Sequence, residues 1–274
     1  MLLRLVWMSI IFVSQLYVYP IKSVGGIFLQ EARLDSRGIE YDRRWMLVDE
    51  NHKFMSQRRY PRMALISTRL TTEHLVVEAT GMTKLSLPLQ PEKRPELEVR
   101  VWSDTVRAMP IGYEADWWFS TFLDTRCRLV YMPDDEVRQA DPAYAEVGDR
   151  VGFADGFPFL LISRASVDDL GKRLGRNIPI NRFRPNLVVE DCEAFEEDEW
   201  RALRIGGVSF RVVKPCSRCS IVMTDQASGE RDRELLATLA GYRRAGKKIL
   251  FGQNLAHDST GTLRVGDAVE IIRT

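Results

Sequence analysis

The sequence has few of the residues that disulfide frameworks and histidine-rich metal sites require. Four cysteines and three histidines are spread over 274 residues, which excludes a small secreted disulfide scaffold and indicates a reducing compartment. We therefore predict a cytoplasmic location. Net charge is also scarce, because 39 basic and 38 acidic side chains leave only +1, without the broad basic surface that nucleic acid requires. Any anion must be met by a local cluster of cations.

Motifs of several other enzyme classes are absent. No G-x-S-x-G sequence marks the nucleophile elbow of a hydrolase. The glycine pair in "SVGGIF" fits neither a phosphate-binding loop nor a dinucleotide-binding fingerprint. These absences argue against serine hydrolase chemistry and against a nucleotide cofactor.

The apolar opening segment, residues 1–20, could be taken for a signal peptide or a membrane anchor. Its basic region is a single Arg4, and no small-residue cleavage site follows Val13. Polar residues interrupt any spanning helix, so we expect no membrane association. Strand formers that end at Pro20 favour an opening β-strand instead. Met8 is a possible natural start, which would make residues 1–7 an extension.

The pattern of apolar residues changes once along the chain. Up to about Arg107 the sequence consists of short β-rich runs separated by turn residues, and "DENHKF" predicts a hairpin turn. A core helix is expected at "EADWWFSTFLD". After Thr125 strands and helices mix. We predict a mixed, predominantly β fold, with a β-barrel-like domain over residues 1–125 and a second β-barrel domain with flanking helices over residues 126–274.

The second half allows more detailed expectations. Ser166 is expected to cap a helix that runs to Leu174. The stretch "SIVMTD" is expected to be strand-like, and "RDRELLATLAGYRRAG" to be one helix. The closing "TLRVGDAVEIIRT" predicts a hairpin or a strand pair.

Two thiols, Cys216 and Cys219, stand three residues apart in "KPCSRCSIVMTD". Structural zinc would need two further ligands, and no second pair of cysteines or histidines supplies them. A thioredoxin-like couple would need a helix directly after the motif. Simple buried thiols remain an alternative. So does a single thiolate ligand to a soft transition metal, beside the compensating charges of Lys214 and Arg218.

The stretch "VVKPCSRCSIVMTDQASGE" resembles the signature of the MOSC domain. "SQLYVYPIKSVGG" and "RGIEYDRRWMLVDENHKFMSQRRYPRMALI" resemble the MOSC N-terminal β-barrel domain. "FADGFPFLLISRASVDDL", "NRFRPNLVV", "LFGQNL" and "GTLRVGDAVEI" resemble the MOSC domain proper, in the family's order. The bacterial YcbX-like proteins and the mitochondrial amidoxime reducing component are the relatives that this combination indicates.

The resemblance implies a molybdenum-cofactor (molybdopterin) enzyme. By motif match, Cys219 would be the molybdenum ligand and catalytic residue, with Cys216 as a neighbour. The residues expected to contact the cofactor are Lys22, Ser23, Arg43, Gly156, Phe157, Arg184, Asn186 and Cys219. Arg58 is a further candidate, with Arg59 and Arg62 as alternatives in the same stretch. Pyridoxal phosphate binding is also associated with the family.

The implied activity is reduction of small N-hydroxylated compounds: hydroxylamines, amidoximes or N-hydroxylated base analogues. No cysteine follows Cys219, so the four ligands of a [2Fe–2S] cluster are missing, and we expect a separate electron donor, ferredoxin-like or a flavin reductase. The chain has Gly156 and Phe157 where the amidoxime-reducing relatives carry hydroxyl residues, which leaves the substrate preference open. The alternatives are a carrier of molybdenum cofactor or sulfur without turnover, and a plain interaction domain.

Overall fold

The computed structural model describes residues 10–272. The strands are β1 (Phe12–Val18), β2 (Ile27–Leu29), β3 (Glu31–Asp35), β4 (Gly38–Ile39), β5 (Trp45–Val48), β6 (Ser67–Leu70), β7 (His74–Glu78), β8 (Leu85–Pro88), β9 (Leu97–Val101), β10 (Asp104–Pro110), β11 (Arg128–Tyr131), β12 (Phe159–Ser163), β13 (Leu187–Glu190), β14 (Ala202–Ile205), β15 (Val208–Ser217), β16 (Arg244–Ala245), β17 (Lys248–His257), β18 (Thr262–Arg264) and β19 (Val269–Ile272). The α-helices are α1 (Tyr113–Leu123), α2 (Arg164–Leu174) and α3 (Arg233–Tyr242), and 3₁₀ helices span Pro61–Leu65, Ile180–Arg182, Glu196–Asp198 and Ser220–Met223.

These strands form four sheets. The largest has nine strands, in the order β19-β14-β15-β17-β12-β13-β1-β2, with β16 paired to β17. A second has the order β5-β11-β10-β9, and two three-stranded sheets have the orders β18-β3-β4 and β6-β7-β8. Helices α2 and α3 pack beside the largest sheet, where Leu170 and Leu235 are fully buried in one apolar cluster. The expected mixed, predominantly β fold with flanking helices is confirmed.

Strand pairing crosses residue 125 in both directions. Strand β1 pairs with β13, and β3 pairs with β18, so early residues complete sheets of the C-terminal half. Strand β11 pairs with β10 and β5 of the N-terminal half. The domain boundary at residue 125 stays a prediction. These strand pairings place residues from both sides of that boundary in the same sheets.

Helix α1 is the expected core helix. It buries Trp118 and Phe119 in the apolar cluster of the N-terminal half, together with Trp45. Asp124 ends the helix in a left-handed conformation with a φ of 50°. The opening strand is also confirmed from Phe12 onward. The possible extension, residues 1–7, lies outside the described residues.

Three local expectations are wrong. Helix α2 is capped by Ser163, whose Oγ accepts a hydrogen bond from the backbone N–H of Ser166 at 3.1 Å. Residues Ser220–Met223 form a 3₁₀ helix where a strand was expected, because the chain must turn away from β15 after Cys219. Strands β18 and β19 do not pair with each other. Strand β18 pairs with β3 and strand β19 pairs with β14, because the partners of both strands come from segments that are distant in the sequence.

Candidate functional site

All eight residues expected to contact a cofactor line one cavity of about 140 Å³. They come from the segment after β1, the loops before β5, β12 and β13, and the end of β15. The structure therefore brings together Lys22, Ser23, Arg43, Gly156, Phe157, Arg184, Asn186 and Cys219. Their individual roles stay predictions.

Cys219 lies in the cavity wall between the end of β15 and a 3₁₀ helix. Its backbone is extended, with φ −122° and ψ −176°, and its side chain is half-buried. Strand β15 carries two irregularities in its register against β17, between Val212 and Lys214 and between Pro215 and Ser217. Such bulges change the direction in which side chains point. Nη1 of Arg58 lies 3.8 Å from the Cys219 sulfur.

The second thiol also opens to the cavity. Cys216 is half-buried, and Nη1 of Arg218 donates to its Sγ at 3.1 Å. Nη2 of Arg218 donates to the backbone carbonyl of Phe183 at 2.7 Å. Neither thiol is therefore sealed in an apolar interior, and each has a guanidinium beside it.

Three arginines around the cavity carry buried donors without an acceptor among residues 10–272. These atoms are Nη2 of Arg184, Nη2 of Arg58 and Nε of Arg218. A buried polar group without a partner costs free energy, so native proteins pair nearly all of them. Burial lowers the pKa of Arg184 to about 10, which still leaves it cationic at neutral pH. The three unpaired donors therefore fit an anionic ligand such as a phosphate.

Three of the cavity residues have a backbone conformation that side chains other than glycine rarely adopt. The φ angles are 65° at Ser23, 47° at Arg43 and 56° at Arg184. Strained residues of this kind persist where the surrounding contacts determine them, and they concentrate at ligand sites. The side chains of Ser23, Arg43 and Arg184 are therefore carried by a backbone conformation that is unfavourable in itself.

Lys22 supplies a buried ammonium group to the same wall. Its Nζ donates to the carbonyl of Phe153 at 2.7 Å and to Oδ1 of Asp155 at 2.5 Å. Burial lowers the pKa of Lys22, and the neighbouring Asp155 carboxylate opposes that shift. An ammonium has three donors, so one remains for a ligand.

Asn186 is surrounded by protein partners. Its Nδ2 donates to the carbonyl of Tyr17 at 3.1 Å and to Asp42 Oδ1 at 3.2 Å. Its Oδ1 accepts from Arg43 Nη1 at 3.1 Å and from the backbone N–H of Leu160 at 3.2 Å. These contacts give Asn186 a positioning role for Arg43, and a direct contact with a pterin edge stays a prediction.

Gly156 and Phe157 form another part of the wall. A Cβ added at Gly156 would meet no protein atom within 4 Å, so the space beside this residue is open. The ring of Phe157 lies 4.9 Å from Nζ of Lys214. The described residues, 10–272, contain no group of three His, Cys, Asp or Glu side chains that could hold a metal by themselves.

Comparison with known proteins bears on this arrangement. The model of the MOSC N-terminal beta barrel domain matches residues 10–126, and the model of the MOSC domain matches residues 148–270. Mitochondrial amidoxime-reducing component 1 of Mus musculus is 36% identical over 95% of this chain and 82% of its own length. The chain belongs to the MOSC family. Its two matched MOSC segments contain all eight cavity residues named above.

Two other relatives also match most of this chain. The Homo sapiens mitochondrial amidoxime-reducing component 1 is 31% identical, over 95% of this chain and 82% of its own. Molybdenum cofactor sulfurase of Solanum lycopersicum is 33% identical over 94% of this chain but only 35% of its own. None of these names supports pyridoxal phosphate binding. The relatives named mitochondrial do not confirm a cytoplasmic location, which stays a prediction. Between residues 10 and 272 no helix of this MOSC protein is long and apolar enough to cross a membrane.

Sequence reasoning about this MOSC protein missed two residues of the site. Asp155 binds Lys22, and Trp102 donates from Nε1 to Asp155 Oδ1 at 3.1 Å. Asp155 directly precedes a predicted site residue, Gly156, and that position was the available signal. Trp102 lies in the "VWSD" turn, and a large aromatic residue in a turn between two strands could have indicated a role in the site. Arg58, a weaker candidate, is the arginine of its stretch that reaches Cys219.

Proposed function

We propose that the protein is a molybdenum-cofactor-dependent oxidoreductase that reduces N-hydroxylated compounds such as hydroxylamines, amidoximes and N-hydroxylated base analogues. One observation carries the proposal: half-buried Cys219 shares a cavity with buried guanidinium donors that lack an acceptor. A thiolate suits a soft metal, and the guanidinium donors suit a phosphate. The amidoxime-reducing names of relatives that match nearly the whole chain support the reaction class.

The residues present fit such a cofactor. The Cys219 thiolate would ligate molybdenum, and the unpaired donors of Arg184 and Arg218 would bind the anionic part of the cofactor. Lys22 would contribute its remaining donor. A cofactor that brings its own sulfur ligands is consistent with a single protein thiolate, since no three-ligand cluster exists in the described residues.

When bound, the cofactor supplies a two-electron centre that accepts the substrate's oxygen. The overall reaction breaks the N–O bond, consumes two electrons and two protons, and yields the N–H compound and water. The chain holds the reacting groups in place through the Asn186–Arg43 contact and the Lys22–Asp155 pair. We assign the electrons to a separate donor protein, ferredoxin-like or a flavin reductase.

The test combines metal analysis with a single substitution. Protein from a host that makes the cofactor should contain molybdenum and reduce an N-hydroxylated substrate with an artificial electron donor. Cys219→Ala should lose turnover and retain the circular dichroism spectrum of the wild type. Cys192→Ala is the matched control, because Cys192 is a half-buried thiol outside the cavity. Full activity in Cys219→Ala would contradict the assignment.

A second function is favoured by the match to a molybdenum cofactor sulfurase, 33% identical over 94% of this chain. In that case the protein would carry molybdenum cofactor or sulfur to partners without turnover of its own. The same experiment separates the two, since stable cofactor binding without reduction of any N-hydroxylated substrate would favour the carrier.

A further inference from the structure

The hairpin of β9 and β10 carries a bulky aromatic residue in its turn. Val101 pairs with Asp104, so Trp102 and Ser103 form a two-residue loop. Trp102 has a φ of 58° and remains 45% exposed. Asparagine and glycine are the usual residues at such positions, because a large side chain is strained there. A strained, exposed tryptophan calls for a reason other than the stability of the turn.

Two contacts of Trp102 lead to the candidate cofactor site. Its indole N–H donates to Asp155, the carboxylate that binds Lys22. The guanidinium of Arg58, which lies beside Cys219, is 4.2 Å from the indole centroid. The ring of Phe54 is 4.9 Å away on centroids. The turn of an N-terminal-half hairpin is thus fixed against the site's own residues.

Trp102 faces a second cavity of about 370 Å³ that adjoins the first. The two cavities have six lining residues in common: Asp155, Gly156, Phe157, Cys216, Ser217 and Asn254. We call this second cavity the Trp102 cleft. A molecule bound in it would reach Cys216, and the shared residues Asp155 to Phe157 connect it to the first cavity, where Cys219 lies.

The Trp102 cleft contains one carboxylate oxygen that is free to accept. Both oxygens of Asp104 and both of Asp141 already accept hydrogen bonds within the chain. Oδ1 of Asp155 accepts from Lys22 and from Trp102, whereas Oδ2 accepts no hydrogen bond from residues 10–272. The Asp155 side chain is 59% exposed. An aromatic surface and an open acceptor therefore lie side by side.

We propose that the Trp102 cleft is the substrate subsite, in which Trp102 and Asp155 select planar aromatic N-hydroxylated compounds that also bear an N–H group. The substrate's ring would pack on Trp102, as aromatic pairs do, and its amino group would donate to Asp155 Oδ2. This inference rests on the proposed function. It adds that Trp102, which lies outside the cofactor cavity, and Asp155, at the wall shared by the two cavities, select among N-hydroxylated compounds.

The test measures binding in the absence of an electron donor, when no turnover occurs. Benzamidoxime is titrated into cofactor-loaded protein by calorimetry, for the wild type, Trp102→Asn and Trp102→Phe. Loss of the ring in Trp102→Asn should raise Kd by about tenfold, and Trp102→Phe should retain most of the affinity. Trp117→Asn is the matched control, since Trp117 is 51% exposed on α1 and lines neither cavity.

Thermal unfolding gives a readout that a purely structural role would not produce. Asparagine tolerates a positive φ, which opposes the loss of the Trp102 contacts with Asp155, Arg58 and Phe54, so Trp102→Asn should keep most of the wild type's unfolding temperature while it binds benzamidoxime more weakly. In turnover assays, the preference for benzamidoxime over hydroxylamine, which has no ring, should fall about tenfold. These results together would support the subsite.

Two outcomes would overturn the inference. One is a lower unfolding temperature in Trp102→Asn with unchanged benzamidoxime affinity, which would make Trp102 a structural residue only. The other is a wild type that reduces hydroxylamine but binds no benzamidoxime, which leaves the proposed function intact. Weaker binding in Trp102→Asn without turnover of any substrate by the wild type would instead contradict the reductase and support the subsite.

Discussion

Substitution of Arg184 by lysine tests whether the unpaired guanidinium donors bind a ligand. Nη1 of Arg184 donates to the carbonyl of Val24 at 2.7 Å, and its guanidinium lies 4.3 Å from the ring centroid of Tyr19. Nη2 is buried and has no acceptor among residues 10–272. Lysine keeps the positive charge but offers a single ammonium, which cannot bond Val24 and a ligand in the fixed fork geometry of arginine.

The magnitude follows from the one bond that is lost. A hydrogen bond to a charged partner contributes about 1.5–3 kcal/mol. Its loss should therefore weaken cofactor binding by roughly 10- to 150-fold. Without cofactor the effects oppose each other, because Arg184→Lys removes a buried donor that has no partner and also loses the contact with Tyr19. We expect the stability of the cofactor-free protein to change by less than about 1 kcal/mol.

The assay measures molybdenum per chain after purification and the rate of cofactor release to an apo acceptor protein. Denaturant unfolding of both variants from a host that lacks the cofactor gives the stability. Arg264→Lys is the matched control, because Arg264 is an exposed arginine paired with Glu31 at 2.9 Å. Equal cofactor retention by Arg184→Lys and the control would refute the reasoning that assigns the unpaired donor to a ligand.

Three further predictions concern the framework around the site. Burial raises the pKa of Glu197 above 4.5, so the stability it contributes is fully present below that value and is lost as the pH rises through the higher folded pKa. Glu197→Gln should therefore flatten the decline of the urea midpoint as the pH rises above 4.5, and an unchanged decline would contradict this. Gly252→Ala should cost about 3 kcal/mol in denaturant unfolding. The φ of Gly252 is 77°, and an added Cβ would lie 2.6 Å from Ile162 Cγ1. A variant as stable as the wild type would show that the strand can shift. Asn186→Leu should also cost about 3 kcal/mol in the free energy of unfolding, because it removes four hydrogen bonds at a residue that is 1% exposed. A loss of cofactor without a loss of stability would show instead that the Asn186 amide contacts the ligand.

The elements that the sequence predicted well have their signal within one segment. Helix α1 alternates buried and exposed aromatics at helical spacing, and the strand β12 is a continuous apolar run before a capping serine. The partners of the strands were not predictable in this way. Strand β1 has the composition of an ordinary edge or core strand, and nothing local shows that it pairs with β13 in the other half of the chain.

The site was predictable only where a family motif named its residues. "YDRRW" and "FRPN" single out Arg43 and Arg184 by position, whereas "MSQRRYPR" offers three arginines. The backbone decides among these three. Arg58 reaches the Cys219 sulfur, while the guanidinium groups of its alternatives lie over Tyr60 and Phe122. Trp102 carries no such motif, because its importance arises from a contact between two halves of the chain.

The residues that make the cavity of this nearly neutral protein cationic also affect its stability. Positive φ angles at Ser23, Arg43 and Arg184 and unpaired donors on buried arginines are each unfavourable for folding. The three positive φ angles and the unpaired donors of Arg58, Arg184 and Arg218 lie around one cavity, on segments that are distant from one another along the chain. Other unpaired donors, on Arg37, Arg44 and Arg182, lie away from it. A ligand that pairs those donors would bind the folded state alone and would stabilise it in proportion to its concentration over Kd. If such a ligand binds, the features that cost stability in the free protein would contribute to its affinity.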